Sequence, residues 1–574
     1  MATRDRSTSE GDEMKREAGP DGLASQLSRR RFLVGAAGVG GLAVVGGVAA
    51  CSPAAPGQAS GTPAASTAPG SAAASASAGE SAAASPSAGA SSSATKGGNF
   101  RLGVTGGGST DIIDGQHIKT KPDQARLVAT FEALLGYDAE YKLTNDGLAE
   151  EVVADKADQW TIRLREGIEF HDGKTVGADD VIYSLTRILD PDEGLFGGAG
   201  LASIDPKNMK KIDERTVQLN LLRPDSTIPD QLAQYYNGIV PVEYTRAGKQ
   251  NGTGPFKVES FTPGEQSVHV RNENYWRPDQ PSFDKVTVLD FPDPSAQVNA
   301  LLAGQVDAIT DIPFAQIDVA KAQGGLSILE SEGGGWLPLC MAIDMEPFND
   351  VRVRQAFRLM VDRQQFVDQV LSGHGRIAND LFGPFDASYN SALPQRQQDF
   401  EMAKTLLKEA GKEGLVVDLH TTDGAAGMVD LAKVFAEQAK GAGVTVNVKI
   451  DPNYYGDQYL KLPFSVDFWG TRTYLAQVAA GSLSTSPFNE THWPPKDSNY
   501  QELFEQALAE VDLAKRTEII HQMQQLEYDQ GGYIITFFNN LVDAYSDKVQ
   551  GFQTSRATLN LDTYGHGFRT ISFV

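Results

Sequence analysis

The sequence predicts an α/β fold, and three observations carry that reading. Strand and helix patterns alternate along 415–469, as in a parallel lobe. Short segments with two-residue alternation recur between 99 and 291, separated by helical spacings. The chain has 574 residues, room for several domains of about 100–200 residues each.

In chain order, Arg29 and Arg30 precede an uncharged run from Phe32 to Ala50 that ends in Val48-Ala49-Ala50-Cys51. A basic head, an apolar middle and small residues before a break are the parts of an export signal. The run is also about long enough to span a bilayer, so an uncleaved anchor is the other reading. Six glycines (35, 38, 40, 41, 46, 47) dilute its hydrophobicity and helix preference. The paired arginines resemble a twin-arginine signal, and VAAC resembles a lipobox whose cysteine is lipidated after cleavage. The expected signal is therefore 1–50, with Cys51 the lipidation site. Residues 51–97 are almost wholly Ala, Ser, Gly, Pro and Thr, a composition that cannot bury enough apolar area to order itself. A flexible coil of about 46 residues has ends about 35–40 Å apart on average.

The body begins with a strand at 99–105. Gly106-Gly107-Gly108-Ser109 follows, and without a GK[ST] or GxGxxG pattern it reads as a turn rather than a phosphate cradle. Leu127, Phe131, Leu134 and Leu135 give 123–135 helical spacing; 160–164 alternates as a strand; Ala178–Leu189 reads as a helix with Asp179 and Asp180 in its first turn. Strands are predicted at 217–222, 256–258, 268–270 and 286–291, and helices at 294–302 and 314–322. Helices then fall at 351–361, 364–371 and 400–410, the last closed by Gly411. The alternating run follows as strand 415–420, helix 427–440, strand 444–450 and strand 465–469. Helices at 500–511 and 513–528 and a strand at 533–538 complete the pattern.

The net charge is −24, and the first 50 residues hold seven basic against six acidic groups, so the body carries essentially all of it. Such a surface repels phosphate backbones, and no nucleic-acid partner is expected. The two cysteines are Cys51 and Cys340; with Cys51 lipidated, no internal disulfide is expected, and Cys340 in an apolar stretch reads as a buried inert thiol. The eight histidines show no HExxH and no paired metal spacing, and there is no nucleophile-elbow serine. His171, between Phe170 and Asp172-Gly173, reads as a turn residue. No catalytic residue, metal site or cofactor is expected.

Several stretches in fixed order then match one family: LREGIEFHDG at 164–173, ADDVIYSL at 178–185, GTGPF at 252–256, RNENYW at 271–276, AGQVDAI at 303–309, PFNDVRVRQAF at 347–357, DRQQFV at 362–367 and AKTLLKEAG at 403–411. Across 98–574 the chain resembles the large extracytoplasmic solute-binding proteins of peptide- and nickel-type ABC importers, family 5. The motifs themselves read structurally: Gly252 and Gly254 fit a tight turn, Arg271 and Trp276 lock a loop, and Val353, Ala356 and Phe357 form a buried helix face.

The resemblance implies a two-lobed periplasmic-binding-protein-like fold (type II, large class) with the ligand cleft between lobes. Lobe I would be 98–311 plus 534–574, with 131–235 an extra subdomain; lobe II would be 312–533. Two crossings, near 310–313 and 532–536, would let the lobes close as rigid bodies. The implied function is capture of a peptide or similar small polar solute by a lipid-anchored monomer on the outer face of the cytoplasmic membrane, for delivery to permease subunits. A hydrolase or a ligand-sensing receptor component on the same fold is the alternative.

Peptide binders of the family carry Asp three residues after the Trp of a lobe II strand, where it holds the peptide ammonium. Here Trp469 is followed by Arg472 at that position, a planar fork suited to carboxylate or phosphate. Arg472 either lines the pocket or pairs with a neighbouring acid such as Asp467. The other expected contacts are Trp469, Tyr474, Trp336, Phe537, Phe538 and Asn539, with Ser109 and Asp111 in the first loop.

Overall fold

The computed structural model describes residues 95–556 and 559–574. The expected signal, Cys51 and nearly all of the expected linker lie outside the described residues. Thr95 is already tied to the body, its N–H donating to Phe573 O at 3.0 Å.

The alternating segments assemble into three main sheets. The largest has eight strands. Its path runs Leu326–Gly335, Phe537–Ser546, Ala308–Ile309, Asn99–Thr105, Lys285–Phe291, Gln266–Arg271 and Phe256–Thr262, and Gly375–Ile377 pairs with Phe537–Ser546 off that path. Asn99–Thr105 is parallel to both of its neighbours, and the remaining pairs are antiparallel. Phe100, Leu102 and Val104 project from one face of the first strand into a core with Val286 and Val288, as two-residue alternation requires.

The second sheet has five strands, in the order Thr445–Ile450, Val416–Thr421, Phe464–Val466, Pro338–Met341, Tyr533–Ile535. The expected parallel unit is here: Val416–Thr421 and Thr445–Ile450 are parallel, with Met428–Ala439 between them. The helix face Val353, Ala356 and Phe357 packs into this sheet's core. A four-stranded antiparallel sheet (Ala149–Lys156, Gln159–Leu164, Thr216–Asn220, Lys210–Lys211) packs with Ala178–Leu189 around a third core within 131–239.

Three elements differ from their sequence patterns. The helix expected over 123–135 is Lys121–Thr130, because the Thr130 carbonyl accepts from Gly254 N–H at 2.9 Å. A Cβ on Gly252 would stand 2.0 Å from that same carbonyl oxygen, so the glycine turn is set by backbone approach. The strand expected at 533–538 breaks at Thr536, giving Tyr533–Ile535 to the second sheet and Phe537–Ser546 to the first. Leu326–Gly335, which has little strand character in sequence, pairs along the length of Phe537–Ser546.

Candidate ligand-binding site

Two short connections join the large sheet to the second one, at 335–338 and at 535–537. Around the first, Trp336 and Trp469 exchange reciprocal N–H···O bonds of 2.9 Å each, and Thr471 Oγ1 accepts from Gly334 N–H at 3.1 Å. Glycine is required at this crossing, because a Cβ on Gly333 would lie 2.2 Å from Asn539 O. The segment carrying Trp469 and Arg472 is thereby fixed beside the crossing.

Trp336 is the middle layer of an aromatic stack, 5.7 Å from Phe382 and 6.0 Å from Trp469, with Tyr533 edge-on at 5.3 Å. At 1% exposure its ring backs the wall, and Trp469 is the next layer. The Trp469 indole N–H donates to Glu490 Oε2 at 3.3 Å, and Phe488 packs edge-on at 6.2 Å. The half-buried Arg472 places its guanidinium over the Trp469 ring at 5.4 Å. This geometry satisfies the guanidinium's preference for a π face.

Tyr474 points elsewhere. The strand ends at Val466, and Tyr474 opens the helix Tyr474–Gly481, turning its ring onto Phe382 at 5.1 Å. Its hydroxyl donates to Glu527 Oε2 at 2.9 Å and lies 3.1 Å from the Tyr500 hydroxyl. Burial pushes the Glu527 carboxyl up to about 7. Tyr474 is thus a buried polar anchor of the interior.

Asp111 is also committed structurally. Its carboxylate is fully buried and binds Arg126 Nη1 at 3.1 Å, Thr120 Oγ1 at 3.1 Å and Gly108 N–H at 3.0 Å. Arg126 serves Asp123 and Asp290 as well. Burial pushes Asp290 up to about 7 and Asp123 up to about 6. Ser109 is exposed in the same loop. Phe537 is fully buried in the second sheet's core, and Phe538 packs under Arg376 at 5.8 Å. Asn539 pairs with Gly335 on one side and Gly375 on the other.

Residues that sequence reasoning did not select complete this wall. Tyr455 donates to Asp467 Oδ1 at 3.0 Å, and Tyr459 donates to Glu490 Oε1 at 3.2 Å. The two rings sit 5.3 Å apart. The run Asp451-Pro452-Asn453-Tyr454-Tyr455 with Tyr459 was the available signal, a local density of tyrosines in a loop. From the four-stranded-sheet region, Tyr236 packs on Phe196 at 4.8 Å and on Tyr235 at 5.1 Å. Burial raises both phenols, and the positive charge of Arg472 acts on both in the opposite direction. Arg472 is therefore within electrostatic reach of this aromatic cluster. Phe385 sits nearby between Arg376 and Arg556, 5.0 Å from each, with Tyr141 at 6.3 Å.

The wall brings together aromatic faces, one guanidinium and tyrosine-held carboxylates. His171 is fixed by its backbone and ring to the Gly252 and Gly254 carbonyls, and burial lowers it to about 4. Trp276 and Tyr275 both donate to Glu132, which ties the 271–276 loop down. Among the described residues no group of three or more His, Cys, Asp or Glu is placed to hold a metal ion. No helix among them is long and apolar enough to cross a membrane.

The model of the bacterial extracellular solute-binding proteins, family 5 (middle region), matches residues 144–546. The dipeptide-binding protein of Escherichia coli K12 is 27% identical over 448 residues, covering 71% of this chain and 83% of the relative. The ABC transporter substrate-binding protein CtaP of Listeria monocytogenes superposes with a TM-score of 0.74 at 20% identity, over 83% of this chain and 100% of that one. The oligopeptide-binding protein AppA of Bacillus subtilis, solved with a nonapeptide, gives a TM-score of 0.66 at 21% identity, over 84% of this chain and 100% of that one. The two sheets, the added antiparallel region and the paired crossings are the two-lobed α/β architecture of periplasmic binding proteins, and the chain belongs to the family 5 extracellular solute-binding proteins.

Proposed function

We propose that this chain is the substrate-binding component of an ABC importer, capturing a peptide or similar small polar, anion-bearing solute and delivering it to permease subunits. The observation that carries the anion preference is Arg472 stacked over Trp469, fixed beside the crossing, at the position where peptide-binding relatives place an acid. The peptide class is supported by the dipeptide-binding relative and by the nonapeptide held in the Bacillus subtilis structure. Strand pairing supports drawing the lobe boundaries at the crossings, 98–335 plus 537–574 against 336–536, because Leu326–Gly335 is hydrogen-bonded into the large sheet. The extra subdomain keeps the bounds 131–235.

Two crossings of one or two residues can absorb a small dihedral change while each sheet moves rigidly. Contacts made only when both walls meet the ligand shift the population toward closure, and the permease reads that state. The protein works as a monomeric binder without catalysis or a cofactor, tethered by lipid on Cys51 at the outer face of the cytoplasmic membrane. Two acyl chains suffice for stable attachment, at about 0.8 kcal/mol per buried CH₂.

The test is Arg472→Ala measured by calorimetry against an acidic ligand eluted from the purified protein. Affinity should fall at least about tenfold, the loss of one charge-assisted contact. Unchanged affinity refutes the pocket role. Uptake of that ligand unchanged in cells lacking the protein would defeat the importer reading in favour of a receptor component. Turnover of the ligand, lost with a pocket substitution, would establish the hydrolase alternative.

A further inference from the structure

The helix Tyr500–Ala509 is finished by a residue from a distant part of the chain. The last carbonyls of a helix lack intrahelical donors, and the residues that follow here, Glu510-Val511-Asp512, include no glycine to turn back and cap them. Asp512 is committed to the next helix, where its side chain accepts from Lys515 N–H. The Glu510 carbonyl accepts from Arg516 Nη1 at 3.1 Å. Ala507 O and Leu508 O are served by Ser226: its Oγ donates to the first at 3.1 Å and its N–H to the second at 2.8 Å. Ser226 is 4% exposed and Ala507 is fully buried, so the contact excludes bulk water.

Ser226 is held in place for this contact. The Asp225 carboxylate accepts from Thr227 N–H at 2.9 Å, Thr227 Oγ1 at 2.6 Å and Ser203 Oγ at 2.7 Å, which fixes the turn that presents Ser226. That turn belongs to the extra subdomain, which is fastened to the large-sheet body by Arg187 on Asp114 at 2.9 Å and by Gln116 Nε2 donating to Ser184 O at 3.2 Å. The helix Tyr500–Ala509 belongs to the other lobe, where Tyr500 OH donates to Glu527 Oε1 at 2.6 Å and Leu503 and Phe504 pack in one core with Trp336. The two bonds of Ser226 therefore join the bodies that the crossings link. The same seam brings Tyr141 to 6.3 Å from Phe385. Burial pushes Asp230 up to about 6, with Asp386 across the seam adding to the rise and Arg516 opposing it.

We propose that Ser226 is an interlobe latch: it caps the helix Tyr500–Ala509 only while the lobes are closed, and so holds a share of the protein closed before any solute arrives. This rests on the two-lobed reading above. Parting the lobes exchanges two dry hydrogen bonds for solvated groups, and each bond adds a modest net bias toward closure. A solute then has less closure left to supply, which raises its apparent affinity without any contact to Ser226. Ser226 is thus a positioning residue for binding.

The experiment is hydrogen–deuterium exchange and small-angle X-ray scattering on the full mature chain, freed of co-purified solute by denaturation and refolding. The wild-type Ser226 amide should be protected at least about tenfold relative to an open peptide, because it exchanges only when the lobes part. Ser226→Ala should speed exchange at residue 226 by about three- to tenfold after correction for intrinsic rates, the value of one hydrogen bond. Ser226→Glu sets bulk and a carboxylate against the negative end of the helix dipole; it should abolish protection at residue 226 and raise the radius of gyration. Unchanged exchange in Asn99–Thr105 shows the variants folded, and Ser226→Ala carries the test alone should Ser226→Glu disturb that strand. An unprotected wild-type Ser226 amide overturns the latch. Protection lost with the radius of gyration unchanged also overturns it, leaving a local contact only. No solute enters the experiment, so either failure leaves the solute-binding reading standing.

Discussion

The most demanding test of the second lobe's construction is Asp380→Asn. Asp380 is buried, and its Oδ2 lies 2.8 Å from Arg363 Nη2, 2.9 Å from Arg396 Nε and 3.9 Å from Arg358 Nε. Its Oδ1 accepts from Ile535 N–H at 3.0 Å, so one carboxylate anchors the last strand of the second sheet next to a crossing. Burial alone would raise this carboxyl; Arg363, Arg358 and Arg396 outweigh burial and hold it below the usual range. The residue sits at φ 60°, a conformation asparagine tolerates as well as aspartate, so the substitution isolates charge from backbone. Removing the carboxylate leaves buried guanidiniums uncompensated, a loss of about 3–5 kcal/mol. At about 2.1 cal/mol/K per residue over about 480 residues, that is a Tm drop of about 3–5 °C if the body unfolds as one unit. Differential scanning calorimetry at pH 7 reads it directly. Because the folded carboxyl is depressed, its stabilisation is present above the unfolded value and lost as pH falls through the folded one. The gap between wild type and variant should therefore close below about pH 4. A variant within 1 °C of wild type at pH 7 would refute the reasoning.

Three further outcomes follow from the same physics. Glu527 is raised to about 7 in the folded state, so its contribution falls as pH rises from about 4.5 to 7; Glu527→Gln should flatten that part of the stability–pH curve in urea melts, and an unchanged slope would count against it. Gly252→Ala drives a Cβ to 2.0 Å from the Thr130 carbonyl and should cost at least about 2 kcal/mol in a denaturant titration, whereas a neutral result would mean the turn is loose. Cys51→Ser should abolish incorporation of labelled palmitate and release the body from membranes; a fully membrane-bound, uncleaved product would restore the anchor reading.

What the sequence disclosed was the part of the fold that local periodicity writes. Asn99–Thr105 and Ala178–Leu189 are readable because their apolar spacing matches the face each buries. Leu326–Gly335 is not, since its last residues are Glu332 and three glycines, which no propensity assigns to a strand; the partner Phe537–Ser546 and the close approach of Asn539 select it. The break at Thr536 is equally silent, because residues on both sides are apolar and β-prone while belonging to different sheets. Trp469 and Arg472 are legible as a Trp-x-x-Arg run in the sequence, and the structure stacks them. Tyr474 lies in the interior because the strand stops at Val466 and a helix turns that side chain inward. Tyr459 and Glu490 come from two separate loops, and only folding brings them to Trp469.

The central claim, a binder that encloses a small solute bearing an anionic group, is tested most directly by native mass spectrometry of protein purified without denaturation, followed by release of whatever is bound. A defined small solute carrying a carboxylate, lost on unfolding and rebinding stoichiometrically, is the predicted result. A released solute with a cationic group and no acidic one would contradict it.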